Sequence, residues 1–106
     1  LRIRTATGVT PVNTFFVGTL PQVEEKEPNN EFAKAQKVEL DSTVEGRVDS
    51  EDVDYYQVEV KKGERLTVEV EGIRLGYTMY DAHVAVMQQD GKVIAENDDT
   101  GLFVQD

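Results

Sequence analysis

The chain has 106 residues, the size of one domain, and carries 21 Asp and Glu against 11 Lys and Arg, a formal net charge of -10. That balance excludes a nucleic-acid partner and disfavours anionic membrane surfaces, since both would repel the chain. Cysteine is absent, which removes disulfides, thiolate metal sites and a cysteine nucleophile, and no apolar run approaches the about 20 residues that span a bilayer.

Residues 1–20 hold Arg2 and Arg4 and no acidic residue, so the acidic excess lies entirely beyond Leu20. The segment opens without a start methionine and is expected to belong to an excised piece of something longer. Alternation in LRIRTAT predicts a strand, Gly8-Val9-Thr10-Pro11 a turn, and NTFFVG a second strand. Such a hairpin cannot stand alone. It is either an edge hairpin of the main domain or the tail of a preceding immunoglobulin-like domain. Residues 21–30, PQVEEKEPNN, have no apolar periodicity and are expected to be a linker. Asn29 or Asn30 is placed to cap one short helix containing Phe32, Ala33 and Ala35.

Strand signals then recur at short intervals. KVEL is followed by a turn at Asp41-Ser42. TVEGRV runs into an acidic turn, and DYYQVEV follows it. Lys61-Lys62-Gly63-Glu64 is a turn with glycine where a positive φ is wanted. RLTVEV, HVAVMQ, VIA and LFVQ complete the series, with a turn at Gln89–Lys92 and a second acidic loop from Glu96 to Gly101. Inward alternation predicts a core of Val44, Val48, Tyr56, Val58, Val60, Leu66, Val68, Val70, Val84, Val86 and Ile94. Many short strands at this spacing predict an all-β fold, an antiparallel sandwich or barrel, over residues 31–106.

Few residues offer catalytic chemistry. His83 is the single histidine and lies in a strand pattern, where a structural or surface role is expected. Ser42 and Ser50 have no histidine near them in sequence. Zinc spacings and glycine-rich phosphate loops are missing. Paired carboxylates of a glycosidase would need a cleft that a sandwich of this size rarely encloses. What remains is three acidic clusters. The first is Glu24, Glu25, Glu27, Asn29 and Asn30. The second is Asp49, Glu51, Asp52 and Asp54. The third is Asn97, Asp98 and Asp99, with Asp81 and Asp106 as companions. Hard oxygen ligands of this kind suit calcium, which takes about six to eight of them. None has the EF-hand spacing, and any one cluster alone reads better as a solvated loop or helix cap. Convergence of two or three of these clusters on one end of the sandwich would make a site for which any of their oxygens, those of Asn30, Asp98 and Asp99 included, could serve.

Several pieces in order carry a resemblance. They are Glu27-Pro28-Asn29-Asn30, Ala33–Ala35, Val44-Glu45-Gly46-Arg47-Val48, Asp52-Val53-Asp54-Tyr55-Tyr56, Gly63, Asp90-Gly91 and Asn97-Asp98-Asp99. Together, over residues 24–106, they resemble the bacterial pre-peptidase C-terminal domain. Arg74-Leu75-Gly76 and Asp98-Asp99-Thr100 resemble planctomycete-type copies, in which the preceding segment is often the end of an immunoglobulin-like domain, and this favours the foreign-tail origin of residues 1–20. The resemblance implies a jelly-roll-like β-sandwich, here without its closing strands because the chain stops at Asp106. It implies a non-catalytic accessory module of a secreted or cell-surface protein, serving attachment, targeting or spacing. The collagen-binding domains of clostridial collagenases are similar and bind calcium near their N-terminal linker. Carried over by motif, the ligands are Glu25, Glu27 and Asn29 from the linker and Asp52 and Asp54 from the central turn. Asn30 stands where that group often has aspartate, and Pro28 is a further departure. A cation shared by linker and turn would order the linker.

The expected partners are neighbouring domains and an extracellular protein or polysaccharide, without nucleic acid or membrane insertion. An edge-paired or strand-exchanged oligomer is expected from the absent closing strands. The rivals are a purely structural linker domain, a processing segment of a neighbouring secreted peptidase and, third, an enzyme.

Overall fold

A computed structural model of the chain describes residues 1–72 and 81–98. It divides into two compact units, Gly18–Thr67, and Leu1–Val17 with the residues from Val68 onward. The expected LFVQ strand lies outside the described residues, as does most of the connection before Asp81.

The structure is strand-rich. Eight short strands are described: β1 (Arg4–Thr5), β2 (Gly8–Val9), β3 (Gln22–Glu24), β4 (Gln36–Lys37), β5 (Thr43–Glu45), β6 (Tyr56–Gln57), β7 (Val84–Met87) and β8 (Val93–Asn97). They pair two by two, β1 with β2, β3 with β5, β4 with β6 and β7 with β8. No helix among the described residues is long and apolar enough to cross a membrane.

In the unit 18–67 both ladders are parallel, a correction to the antiparallel expectation. Val23 pairs with Val44 in β3–β5, and Gln36 with Tyr56 in β4–β6. Tight turns join antiparallel neighbours, but here each strand pairs with one further along the chain, which permits the parallel sense. Within residues 21–30, the expected linker, lies strand β3. Backbone bonds extend its ladder at both ends, from the Thr43 amide to the Pro21 carbonyl (2.9 Å) and from the Glu25 amide to the Glu45 carbonyl (3.1 Å). Gln36 adds a clamp: its Oε1 accepts from the Lys26 amide at 2.7 Å, and its Nε2 donates to the Glu24 carbonyl at 3.0 Å. A segment without apolar periodicity is thus held by main-chain pairing, which periodicity does not report.

The short helix is a single 3₁₀ turn, Phe32–Lys34, with Glu31 at its N-cap and no side-chain cap. Neither Asn29 nor Asn30 caps it; both are engaged elsewhere. Phe32 meets Tyr55 edge to face, with ring centroids 5.9 Å apart. Asp41 takes a left-handed φ of 54° at the expected bend, and Glu51 one of 57° in the acidic turn. At Lys61–Glu64 the Glu64 amide returns to the Lys61 carbonyl at 3.0 Å, with Gly63 at φ 92° as expected.

In the other unit, β7 and β8 form the expected hairpin, antiparallel with an irregularity at Val86/Met87. Gly91 turns it at φ 84°, and Asp90 Oδ1 accepts from the Lys92 amide at 3.0 Å. The N-terminal hairpin turns earlier than expected. Gly8–Val9 is its returning strand rather than its turn, and NTFFVG is not a strand, although the Asn13 amide donates to the Leu1 carbonyl at 2.9 Å.

The expected core is not formed among the described residues, where no apolar side chain is buried. Val44, Val58, Leu66, Val84 and Val86 are half-buried, while Val48, Tyr56, Val60, Val68, Val70 and Ile94 are exposed. RLTVEV forms no described strand. Alternation selects a face, but a two-stranded ladder has no second layer to cover that face. Val68 is 46% exposed. Val68→Ala is therefore expected to change unfolding free energy by less than about 0.5 kcal/mol, and Val58→Ala by about 1 kcal/mol. Urea unfolding measures both; a loss of several kcal/mol at Val68 would show that it is packed.

Candidate metal centre

The site is built where the end of β3 meets the strand that leaves the acidic turn. Glu25 directly follows β3, and Asp54 stands two residues before Tyr56 of β6. Between them Asn29 is fully buried, and its carbonyl accepts from the Tyr55 amide at 3.0 Å. That bond joins the 25–30 segment to the DYYQVEV stretch.

Ligand oxygens of Glu25, Glu27 and Asp54 all lie within 4.8 Å of one another, close enough to hold one metal ion. Asn29 reaches into the same cluster. Its Nδ2 is 3.3 Å from Glu25 Oε1, and its amide is 3.1 Å from Glu27 Oε2. A carboxylate only accepts, so the nitrogen of the carboxamide faces Glu25. The carboxamide oxygen is then buried without a hydrogen-bond donor from the protein, and so is Asp54 Oδ1. Orphaned buried acceptors are costly, and a cation is one of the few groups that satisfies several oxygens at once. Hard oxygen donors with two unsatisfied buried members fit a hard divalent cation. An open groove lined by Glu24, Glu27, Glu45 and Arg47 gives access to Glu25 from solvent.

The electrostatics follow from this crowding. Burial pushes the Asp54 carboxyl up to about 6, and the charges of Glu25, Asp52 and Glu27 push in the same direction. Glu25 goes the other way. Burial works to raise it, but hydrogen bonds from Tyr56, the Arg47 amide and Asn29 outweigh that and hold it below the usual carboxylate range. The Tyr56 hydroxyl, which donates to Glu25 Oε1, is pushed up by burial and by that bond.

The remaining candidates fall elsewhere. Asn30 and Asp52 bond each other, Nδ2 to Oδ1 at 2.7 Å, and Asp52 Oδ2 accepts from the Asp49 amide at 3.0 Å, closing the acidic turn. Both flank the triad and are not among its convergent ligands. Asp98 is exposed just after β8, in the other unit, and Asp99 lies outside the described residues. His83 is exposed, with Nε2 3.7 Å from Glu96 Oε2.

Two further residues of the site carry a signal in the sequence. Tyr56, expected in the core, shares with Asp54 one face of a period-2 strand. Gly46 interrupts a strand pattern, which is a known sign of close approach, here by the Glu25 carboxylate. Compared with family models, curated proteins and solved structures, the chain matches none.

Proposed function

We propose that the chain is a non-catalytic, calcium-binding accessory module of an exported bacterial protein, similar to the pre-peptidase C-terminal domain. One observation carries this reading: the carboxylates of Glu25, Glu27 and Asp54 converge, and two buried oxygens there, Asp54 Oδ1 and Oδ1 of the fully buried Asn29, have no donor from the protein. Glu25, Glu27 and Asp54 would hold the ion. Calcium supplies the positive charge that the cluster lacks. The same proposal includes a jelly-roll-like sandwich as the architecture of the module, with residues 1–20 as the tail of a preceding domain and 21–30 as the connection. Because β3 already ties that connection to β5, the ion would stiffen the Glu25–Asn30 turn rather than order a free linker. A stiff turn sets how a neighbouring domain leaves the module, which suits attachment or spacing outside the cell.

A ligand-free structural knot is the second reading, favoured by the donors that Glu25 already has in Tyr56, Asn29 and the Arg47 amide. Calorimetric titration with calcium decides between them. Saturable binding lost in Asp54→Asn supports the site, and no binding by the wild type leaves the knot.

A further inference from the structure

We propose that Gly46 and Tyr56 are positioning residues of the cation site, holding the Glu25 carboxylate in one orientation and so setting the affinity for a hard divalent cation. This rests on the calcium-binding reading above and concerns residues that touch a ligand without being one.

Glu25 is gripped at both oxygens. The Tyr56 hydroxyl donates to Oε1, and Asn29 Nδ2 donates to the same atom. The Arg47 amide donates to Oε2 at 2.8 Å. A carboxylate held this way keeps a lone pair free on Oε2, and its rotation about the last side-chain bond is stopped. Gly46 makes the grip possible. A Cβ added there would stand 3.1 Å from Glu25 Oε2 and 3.3 Å from its Cδ, tighter than ordinary contact. Gly46 does not have the left-handed φ that side chains avoid, so space, and not backbone freedom, is what glycine supplies here. Glu25 must therefore move if Gly46 gains a methyl group, while the backbone need not. The second observation that separates this cluster from an ordinary acidic surface is its pair of buried oxygens without a donor, Asp54 Oδ1 and Oδ1 of the fully buried Asn29. Side chains that orient metal ligands typically change affinity by about 10- to 100-fold when removed.

The test uses the full chain and calcium chloride, by calorimetry and by near-ultraviolet tyrosine difference spectra. Tyr56→Phe and Gly46→Ala are each expected to weaken calcium about 10- to 100-fold with unchanged far-ultraviolet dichroism. The wild type and Gly46→Ala at saturation are expected to show a tyrosine perturbation that Tyr56→Phe lacks, a signature that a merely structural loss would not produce. If Tyr56→Phe disturbs the fold, Gly46→Ala carries the test, because it keeps the hydroxyl. Wild-type affinity in both variants, with binding lost in Asp54→Asn, overturns the positioning role and leaves the calcium reading standing. Absence of binding by the wild type overturns both.

Discussion

In calcium-free buffer at neutral pH, Asp54→Asn is expected to melt at or above the wild type, and in calcium the order reverses. Without an ion, burial disfavours the ionised Asp54 most, and the charges of Glu25, Asp52 and Glu27 add a repulsion to it. Asparagine keeps the shape and removes that repulsion. With an ion, the same carboxylate becomes a ligand, and asparagine offers only a neutral oxygen. A ligand that binds only the folded state at a hundred times its dissociation constant adds roughly 2.7 kcal/mol. For a unit of this size that moves the midpoint by about 10 °C or more, so the wild-type shift is readily measured. Thermal unfolding with calcium and with chelator, in both proteins, gives the four midpoints. A wild-type midpoint that ignores calcium, or an Asp54→Asn midpoint that responds as fully, refutes the assignment of Asp54 as a ligand.

The calcium-free protein is also expected to lose stability as pH rises from about 4 to about 6. Asp54 has its folded value raised from 3.8 to about 6, so in that window the folded state holds a proton that the unfolded chain has released. Stability therefore falls with rising pH until Asp54 is ionised in both states. Glu25 contributes with the opposite sign. Its folded value lies below its ordinary one, so its stabilisation is present above the usual Glu range and is lost as pH falls through the lowered value. The two limbs place the stability maximum on the acid side, near the lower end of the Asp54 window. Urea midpoints between pH 3 and 8, in chelator, trace both limbs. In Asp54→Asn the descending limb should vanish and the acid limb remain. A wild-type profile that is flat from pH 4 to 7, or a descending limb that survives in the variant, contradicts the shared burial of these groups.

Local chemistry was legible from residue identity. Glycine at 63 and 91 marks the turns where the backbone takes φ 92° and 84°, because only glycine enters that region without cost. The hairpin of β7 and β8 follows from two alternating runs around Gln89–Lys92. Glu25, Glu27 and Asp54 stand in two acidic clusters visible in the sequence, and the family resemblance is what singles them out as ligands. Pairing was not legible. QVE lies along TVE in parallel through backbone amides and carbonyls, which every residue but proline offers alike, so side-chain pattern carries no trace of the partner. Nor does alternation say whether a face will be covered, and Val68 and Ile94 stay exposed here although their pattern points inward. Only the tertiary structure separated Glu25, Glu27 and Asp54 from Asp52 and Asn30, which bond each other instead. It also turned Tyr56 from a core residue into a donor to Glu25, across 31 positions of chain. A hydroxyl, a carboxylate and the gap at Gly46 meet there because the paired strands bring them together, and no local stretch of sequence contains all three.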